Sequence, residues 1–435
     1  MTGTVAPSPA DGPAATVRRT TAMVVADTDS YVKWGAAVLD GLPGGWTADL
    51  VVLLSENAPS EAQLATALAG TSRAGRRVRM LRLPDLVAVV TEHTPDLVLV
   101  ATRGPVARVV LHALSRLERR PVLVSGFPGI SWPATRQAID YRAQADLVLL
   151  HSHREVESFS QMAEERGVEF RAGLLTLPFL RTAASGSSEV RNEVVFAVQS
   201  IVPKALEDRR AVLDMLAEYA QRHPRHRVVL KVRAVGGERQ THDEPHPYTE
   251  LLVERGESPA NLVVEGGPMA EHLQRAVALV TVSSTAILEA LAAGVPVHAI
   301  GDFGVTKRLI NPVFEHSGLM GDRRRLLAGD FRPVDPEWAR LNYLHPSEDN
   351  DWHEHLEALV EQRRREGLPL RPRAVPALGG ALRLAWERQR ALGRHGSTPL
   401  GIVALAVGYP LYRAAKLRQR ISRRLRRERP DELAV

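Results

Sequence analysis

Short apolar runs recur along the chain, separated by amphipathic stretches. TAMVVA (21–26), DLVVLL (49–54), VRMLRL (78–83), DLVLVA (96–101), PVLVSG (121–126) and DLVLLH (146–151) are six residues each and rich in Val and Leu. The segments between them, such as VARVVLHALSRLER (106–119), carry their apolar residues at helical spacing. Unbroken apolar runs predict strands buried on both faces. Alternation with helices predicts a mostly parallel sheet covered on both sides. The pattern pauses at the small, polar stretch Arg181–Ser188 and then restarts. VVFAVQ (194–199), RVVLKV (227–232), NLVVEG (261–266), ALVTVS (278–283) and VPVHAI (295–300) predict a second sheet of the same kind, with helices near 205–221 and 247–255.

The expected fold class is therefore α/β: two doubly wound Rossmann-like domains facing each other across a cleft. The expected boundaries are a disordered lead-in at 1–20, a first domain at 21–180 and a linker at 181–189. A second domain at 190–345, C-terminal helices at 346–395 and an apolar, basic tail at 396–435 complete the chain. In doubly wound sheets the carboxyl ends of the strands line the ligand crevice, so chemistry is sought there.

Hydrophobic residues make up 44% of the 435 and charged residues 24%, as in globular chains. There is no cysteine, which excludes disulfides and thiolate metal sites. The net charge of +6 belongs to the tail, because residues 413–435 hold nine basic and three acidic side chains and the remainder sums to zero. A neutral body with 5% aromatic residues disfavours nucleic acid as a partner. The apolar run Pro399–Tyr412 is shorter than the roughly 20 residues that span a bilayer. The Arg-rich stretch that follows spaces Leu417, Ile421 and Leu425 four apart. That combination predicts an interfacial helix drawn to anionic lipid through residues 399–429, and a cytoplasmic protein peripheral to the inner face of the membrane. A flexible basic tail or a docking helix would look similar. The first twenty residues lack the apolar core of a signal peptide.

The most specific segment is Val282-Ser-Ser-Thr-Ala-Ile-Leu-Glu-Ala-Leu-Ala-Ala-Gly-Val-Pro-Val297. Ser283, Ser284 and Thr285 lie where a strand hands over to a helix, where unpaired N–H groups favour phosphate. Glu289 lies one turn on and could meet a ribose or another hydroxyl-bearing group. Plain helix capping by the hydroxyls and by Gly294 is the alternative. Lys231 and Arg233 end another strand and could neutralise a diphosphate. The loop beyond them carries His242, Asp243, Glu244 and His246, without helical metal-ligand spacing, so no metal is expected there. Glu265 and Gly266 end a third strand and could border a nucleobase; Gln199-Ser200 is a weaker candidate of that kind. In the first domain, Asp27, Asp29 and His151 follow strands and are candidate general bases. Asp27 or Ser30 could instead cap the next helix. His153 and the loop Gly126-Phe-Pro-Gly-Ile-Ser131 face the same region. No Gly-x-Gly-x-x-Gly, Walker lysine or Gly-x-Ser-x-Gly pattern is present, which disfavours nicotinamide cofactors, P-loop chemistry and serine hydrolysis.

Ser-Ser-Thr-x3-Glu-Ala-x3-Gly-x-Pro-Val resembles the donor domain of GT-B glycosyltransferases, especially bacterial sialyltransferases, capsular-polysaccharide transferases and polyol-phosphate transferases. The chain as a whole, with segments such as Asp27-Thr-Asp-Ser-Tyr-Val-Lys33, resembles an actinobacterial family labelled as glycosyltransferases. The motif resemblance covers about residues 190–310. It implies that the Ser-Ser/Thr pair contacts the donor phosphate and that His246-Pro247 contacts the nucleotide. Here 14 residues separate Lys231 from His246, where the family pattern has the two close together. The implied activity is metal-independent, cofactor-free sugar transfer from a nucleotide-sugar donor to a cell-envelope or lipid-linked glycan. CDP-polyol transfer, nucleotide-sugar epimerisation and non-catalytic nucleotide-sugar binding at the membrane are the alternatives.

Overall fold

The computed structural model describes residues 19–178, 180, 191–232, 244–375, 380–406 and 408. The first sheet contains β1 (Thr21–Ala26), β2 (Thr47–Leu53), β3 (Arg79–Leu81), β4 (Leu97–Ala101), β5 (Val122–Gly126), β6 (Leu147–Leu150) and β7 (Ala172–Leu174). Its order is β3-β2-β1-β4-β5-β6-β7, and all pairs are parallel. The second sheet contains β8 (Glu193–Ala197), β9 (Arg227–Lys231), β10 (Leu262–Glu265), β11 (Ala276–Thr281), β12 (Val297–Ile300) and β13 (Met320–Gly321). It is again parallel, in the order β10-β9-β8-β11-β12-β13. Every strand predicted from an apolar run is present. The run 78–83 is strand only over its middle, because Leu83 already opens the next helix. The short edge strands β7 and β13 were not predicted.

The period of two explains why these runs are apolar throughout. Ala22, Val24 and Ala26 face one core cluster, while Met23 and Val25 face the cluster on the other side of the sheet. Val194 and Phe196, against Val195 and Ala197, divide in the same way in the second sheet. Burial on both faces supplies the hydrophobic gain that parallel strands require. Gly35, on the helix Asp29–Asp40, allows close packing on β1: a Cβ there would lie 2.7 Å from a Val24 methyl.

The C-terminal helices return to the first domain. Trp352, Leu356, Leu359 and Val360 of the helix Trp352–Glu366 join the core beneath β1. Arg363 and Arg364 from the same helix reach the buried carboxylate of Asp96 at 3.1 and 3.0 Å. Ala391 and Leu392, ending the helix Gly380–Leu392, pack on the opposite face. The chain thus crosses between domains twice. The two crossings are tied together, since Asn350 Oδ1 accepts from the Thr176 amide at 2.8 Å and Asp351 Oδ1 from the Leu174 amide at 2.6 Å. No helix among the described residues is long and apolar enough to cross a membrane.

Candidate active site

On the first-domain side, the carboxyl ends of β1, β4, β5 and β6 converge. Asp27 follows β1 and is fully buried. Arg103 donates to it twice, through its backbone amide at 3.1 Å and its Nε at 2.8 Å. The rest of that guanidinium reaches Asn57 Oδ1 and Ser55 Oγ. Burial raises the Asp27 pKa, and Arg103 opposes the rise. Beside it the buried Arg142 guanidinium contacts Tyr31 Oη and the Gly126 and Thr102 carbonyls and lies over the Phe127 ring. Asp27 is therefore the core of an ion-paired cluster. It neither caps the following helix, whose N-cap is Thr28, nor presents a carboxylate to the cleft.

His151 is likewise enclosed. It is fully buried, with Nδ1 donating to the Leu175 carbonyl at 2.7 Å. Its Nε2 sits between the Trp34 indole N–H at 3.0 Å and the Phe127 carbonyl at 2.8 Å. Both ring nitrogens have partners inside the domain. Asp29, the first residue of the helix after β1, is half-buried. It alone of the three predicted bases keeps access to solvent.

The loop 127–132 leans onto the second domain. Ile130 and Trp132 pack against that domain's core. A Cβ on Gly129 would lie 3.0 Å from the Thr285 methyl, so the loop backbone meets the Ser-Ser-Thr turn directly. Glu155 fixes the loop from below, accepting from the Ser131 amide at 2.7 Å and the His151 amide at 2.8 Å.

On the second-domain side, Gln199 follows β8 and holds Ser283: its Oε1 accepts from the Ser283 amide at 3.0 Å and its Nε2 donates to Ser283 Oγ at 3.3 Å. Ser284 Oγ accepts from the Ala286 amide at 3.2 Å. Ser283 and Ser284 are buried, so Thr285 and Glu289 carry the open surface of the motif. Gly294 adopts φ +68°, and the amides of Gly294 and Val295 turn back onto Leu291 and Ala290 to close the helix. Glu289 lies 3.8 Å from Lys33 of the first domain, a second contact across the cleft.

Lys231 ends β9, beside Ala197 of β8 and Glu265 of β10. Arg233, His242 and Asp243 lie outside the described residues. His246 and Pro247 are half-buried, and Pro247 is the N-cap of the helix Tyr248–Arg255. Glu265 is held in an ion pair. Arg227 binds both its oxygens and depresses its pKa. The Gly266 carbonyl accepts from His272 Nε2 at 2.8 Å. Glu265 thus belongs to an ion cluster with Arg227, His272, Glu193 and Arg275.

The chain matches the family described as “Putative glycosyltransferase (DUF6716)” over residues 22–359, most of its length and both domains. It belongs to this family. No curated protein matches the sequence. Among solved structures, it is similar to a “putative UDP-N-acetylglucosamine 2-epimerase” from Listeria monocytogenes, with TM-score 0.52 and 13% identity, covering 82% of this chain and 99% of that one. It is also similar to the UDP-GlcNAc 2-epimerase from Neisseria meningitidis bound to UDP-GlcNAc, with TM-score 0.50 and 11% identity, covering 80% and 100%. At such identities the likeness concerns the fold, which is GT-B-like: two parallel sheets flanked by helices, with C-terminal helices.

In this glycosyltransferase-family chain, sequence reasoning missed the side chains that shape the site from behind. Arg209 is fully buried over the Tyr248 ring, donates to the Gln199, Ser200 and Pro203 carbonyls, and pairs with Glu244. It thereby links the loop that holds Ser283 to the loop that leads to His246. A signal existed, because Arg209 shares the apolar face of its helix with Val212, Leu213 and Leu216. Glu155 likewise shares a face with Phe159 and Ala163. A charged residue on an apolar helix face announces a buried partner.

Proposed function

We propose that the chain transfers a sugar from a nucleotide-activated donor to a cell-envelope or lipid-linked acceptor. The observation that carries this reading is the junction of the Ser283–Thr285 turn with the Gly129 loop, in a chain of a glycosyltransferase family. The donor would lie on the second domain. The Thr285 hydroxyl and Lys231 would meet its phosphates, with Arg233 completing the charge, while His246 and Pro247 would border the nucleotide. Ser283 and Ser284 would act by shaping the turn rather than by touching the donor. Glu289 would meet a donor hydroxyl once Lys33 is displaced.

Cations and fixed hydrogen-bond donors can stabilise the leaving phosphate as negative charge develops on it, so the transfer step itself calls for no metal. Asp29 is the proposed general base. It lies one helical turn before Lys33 and so shares the cleft-facing side of its helix. Closure of the domains would exclude water and limit donor hydrolysis.

The exposed side chains of Leu400, Ile402 and Val403, ahead of the Arg-rich tail, support attachment to an anionic membrane. The structural neighbours named as UDP-GlcNAc epimerases favour UDP as the first nucleotide to try. The testing experiment incubates the full chain with nucleotide sugars, with and without envelope lipid extract. Acceptor-dependent release of nucleotide supports transfer. Isomerised sugar without nucleotide release would replace the reading with an epimerase, and unchanged donor with a binder.

A further inference from the structure

Among the described residues, one cluster of histidine and acidic side chains has the spacing of a metal site. It lies outside the groups assigned to the donor. His153 opens the helix that follows β6 in the first domain. His345 and Asp349 belong to the segment that brings the chain back from the second domain. One ligand atom from each lies within 4.8 Å of the other two. His153 Nε2 is 2.8 Å from Asp349 Oδ2, and the two imidazole rings stand 5.3 Å apart between centroids.

The second observation is an orphaned atom. His345 is only 3% exposed, its Nε2 makes no close hydrogen bond, and the His151 and Pro346 backbone lies beside the ring. Its Nδ1 lies 3.1 Å from the Pro346 carbonyl. An Nδ1–H donating there puts the lone pair on Nε2, the arrangement that orients a metal-ligating histidine. Buried polar atoms rarely go unsatisfied. His153 and Asp349 are about one-third exposed, which leaves a path for an ion to enter.

We propose that His153, His345 and Asp349 bind one divalent ion of the zinc class, and that the ion pins the returning crossover to the first domain. Two imidazoles and one carboxylate suit zinc and the late first-row metals. Magnesium and calcium prefer oxygen-only sets. Ligand atoms around tetrahedral zinc sit about 3.3 Å apart, so small side-chain rotations complete the site. The site's role is structural. It sits beside the paired crossings held by Asn350 and Asp351, where the angle between the domains is set. This inference is independent of the proposed transfer reaction.

The test uses the full chain, stripped with chelator and free of nucleotide. Zn2+ is titrated in competition with a chromogenic chelator, and Co2+ is followed by its visible spectrum. The expected result is one ion per chain and a Zn2+-dependent rise in Tm, with affinity at least tenfold weaker in His153→Ala and in Asp349→Asn. Both residues are partly exposed, so both variants are expected to keep the wild-type circular dichroism spectrum and metal-free Tm. Absence of stoichiometric binding, or equal affinity in wild type and both variants, overturns the proposal.

Discussion

The Tyr343 hydroxyl donates to Glu155 Oε1 at 2.5 Å, joining the second domain's core to the first domain. Both side chains are fully buried. Glu155 also holds Ser131 and His151, so one carboxylate sets the position of the cleft loop, the turn after β6 and the domain contact. Burial and the adjacent carboxylate push the Tyr343 pKa well above its ordinary value, which keeps it a donor. Tyr343→Phe removes one bond to a charged group and leaves the other two. We expect a loss of about 2 kcal/mol in denaturant unfolding. A loss under about 0.5 kcal/mol would show that the bond contributes little beyond the remaining two.

Arg209 is the corresponding hub of the second domain. Arg209→Met strands Glu244 and leaves three loop carbonyls without their donor. Breaking a buried ion pair from one side costs about 3–5 kcal/mol. The expected outcome is a fall in Tm together with weaker nucleotide binding, because the same residue positions Gln199. Calorimetry of the variant checks both.

His298 on β12 is buried, and neither ring nitrogen has a hydrogen-bond partner. Burial, with Arg325 nearby, pushes its pKa down to about 4. The unfolded chain binds this proton more readily than the folded one. Stability therefore rises with pH through the window from about 4 to the ordinary histidine value near 6.5. The amount is on the order of 3 kcal/mol. His298→Leu should flatten that part of the stability-versus-pH curve. An unchanged slope would assign the pH dependence to other groups.

The tail is tested by removing residues 409–435, which spares the contact of Ala404 with Trp386. The shortened chain should lose most of its sedimentation with anionic vesicles, and added salt should weaken binding of the full chain. Equal sedimentation of the two chains would remove the membrane assignment.

The central strands were legible because they are buried on both faces and so read as apolar runs. β7 (AGL) and β13 (MG) are short and contain glycine, so they leave no such mark. The positions of the site loops were legible for the same reason, since they follow strand ends. The side-chain partners were not. Asp27 stands at a strand end as expected, but its carboxylate belongs to Arg103, 76 positions away. Glu265 is claimed by Arg227 at a separation of 38 positions. Such pairings depend on register between strands and on the reach of a guanidinium, neither of which local pattern encodes. Arg209 and Glu155 were within reach of sequence reasoning, as charges on apolar helix faces.

The most direct measurement is calorimetric titration of the full chain with UDP, GDP, CDP, CMP and their sugar conjugates, repeated on Thr285→Val. The account predicts saturable binding of one nucleotide class, about tenfold weaker in the variant, equivalent to about 1.4 kcal/mol. Binding unaffected by Thr285→Val would move the donor away from the turn. No binding of any nucleotide at millimolar concentration by folded protein would contradict the assignment of the cleft as a nucleotide-sugar site.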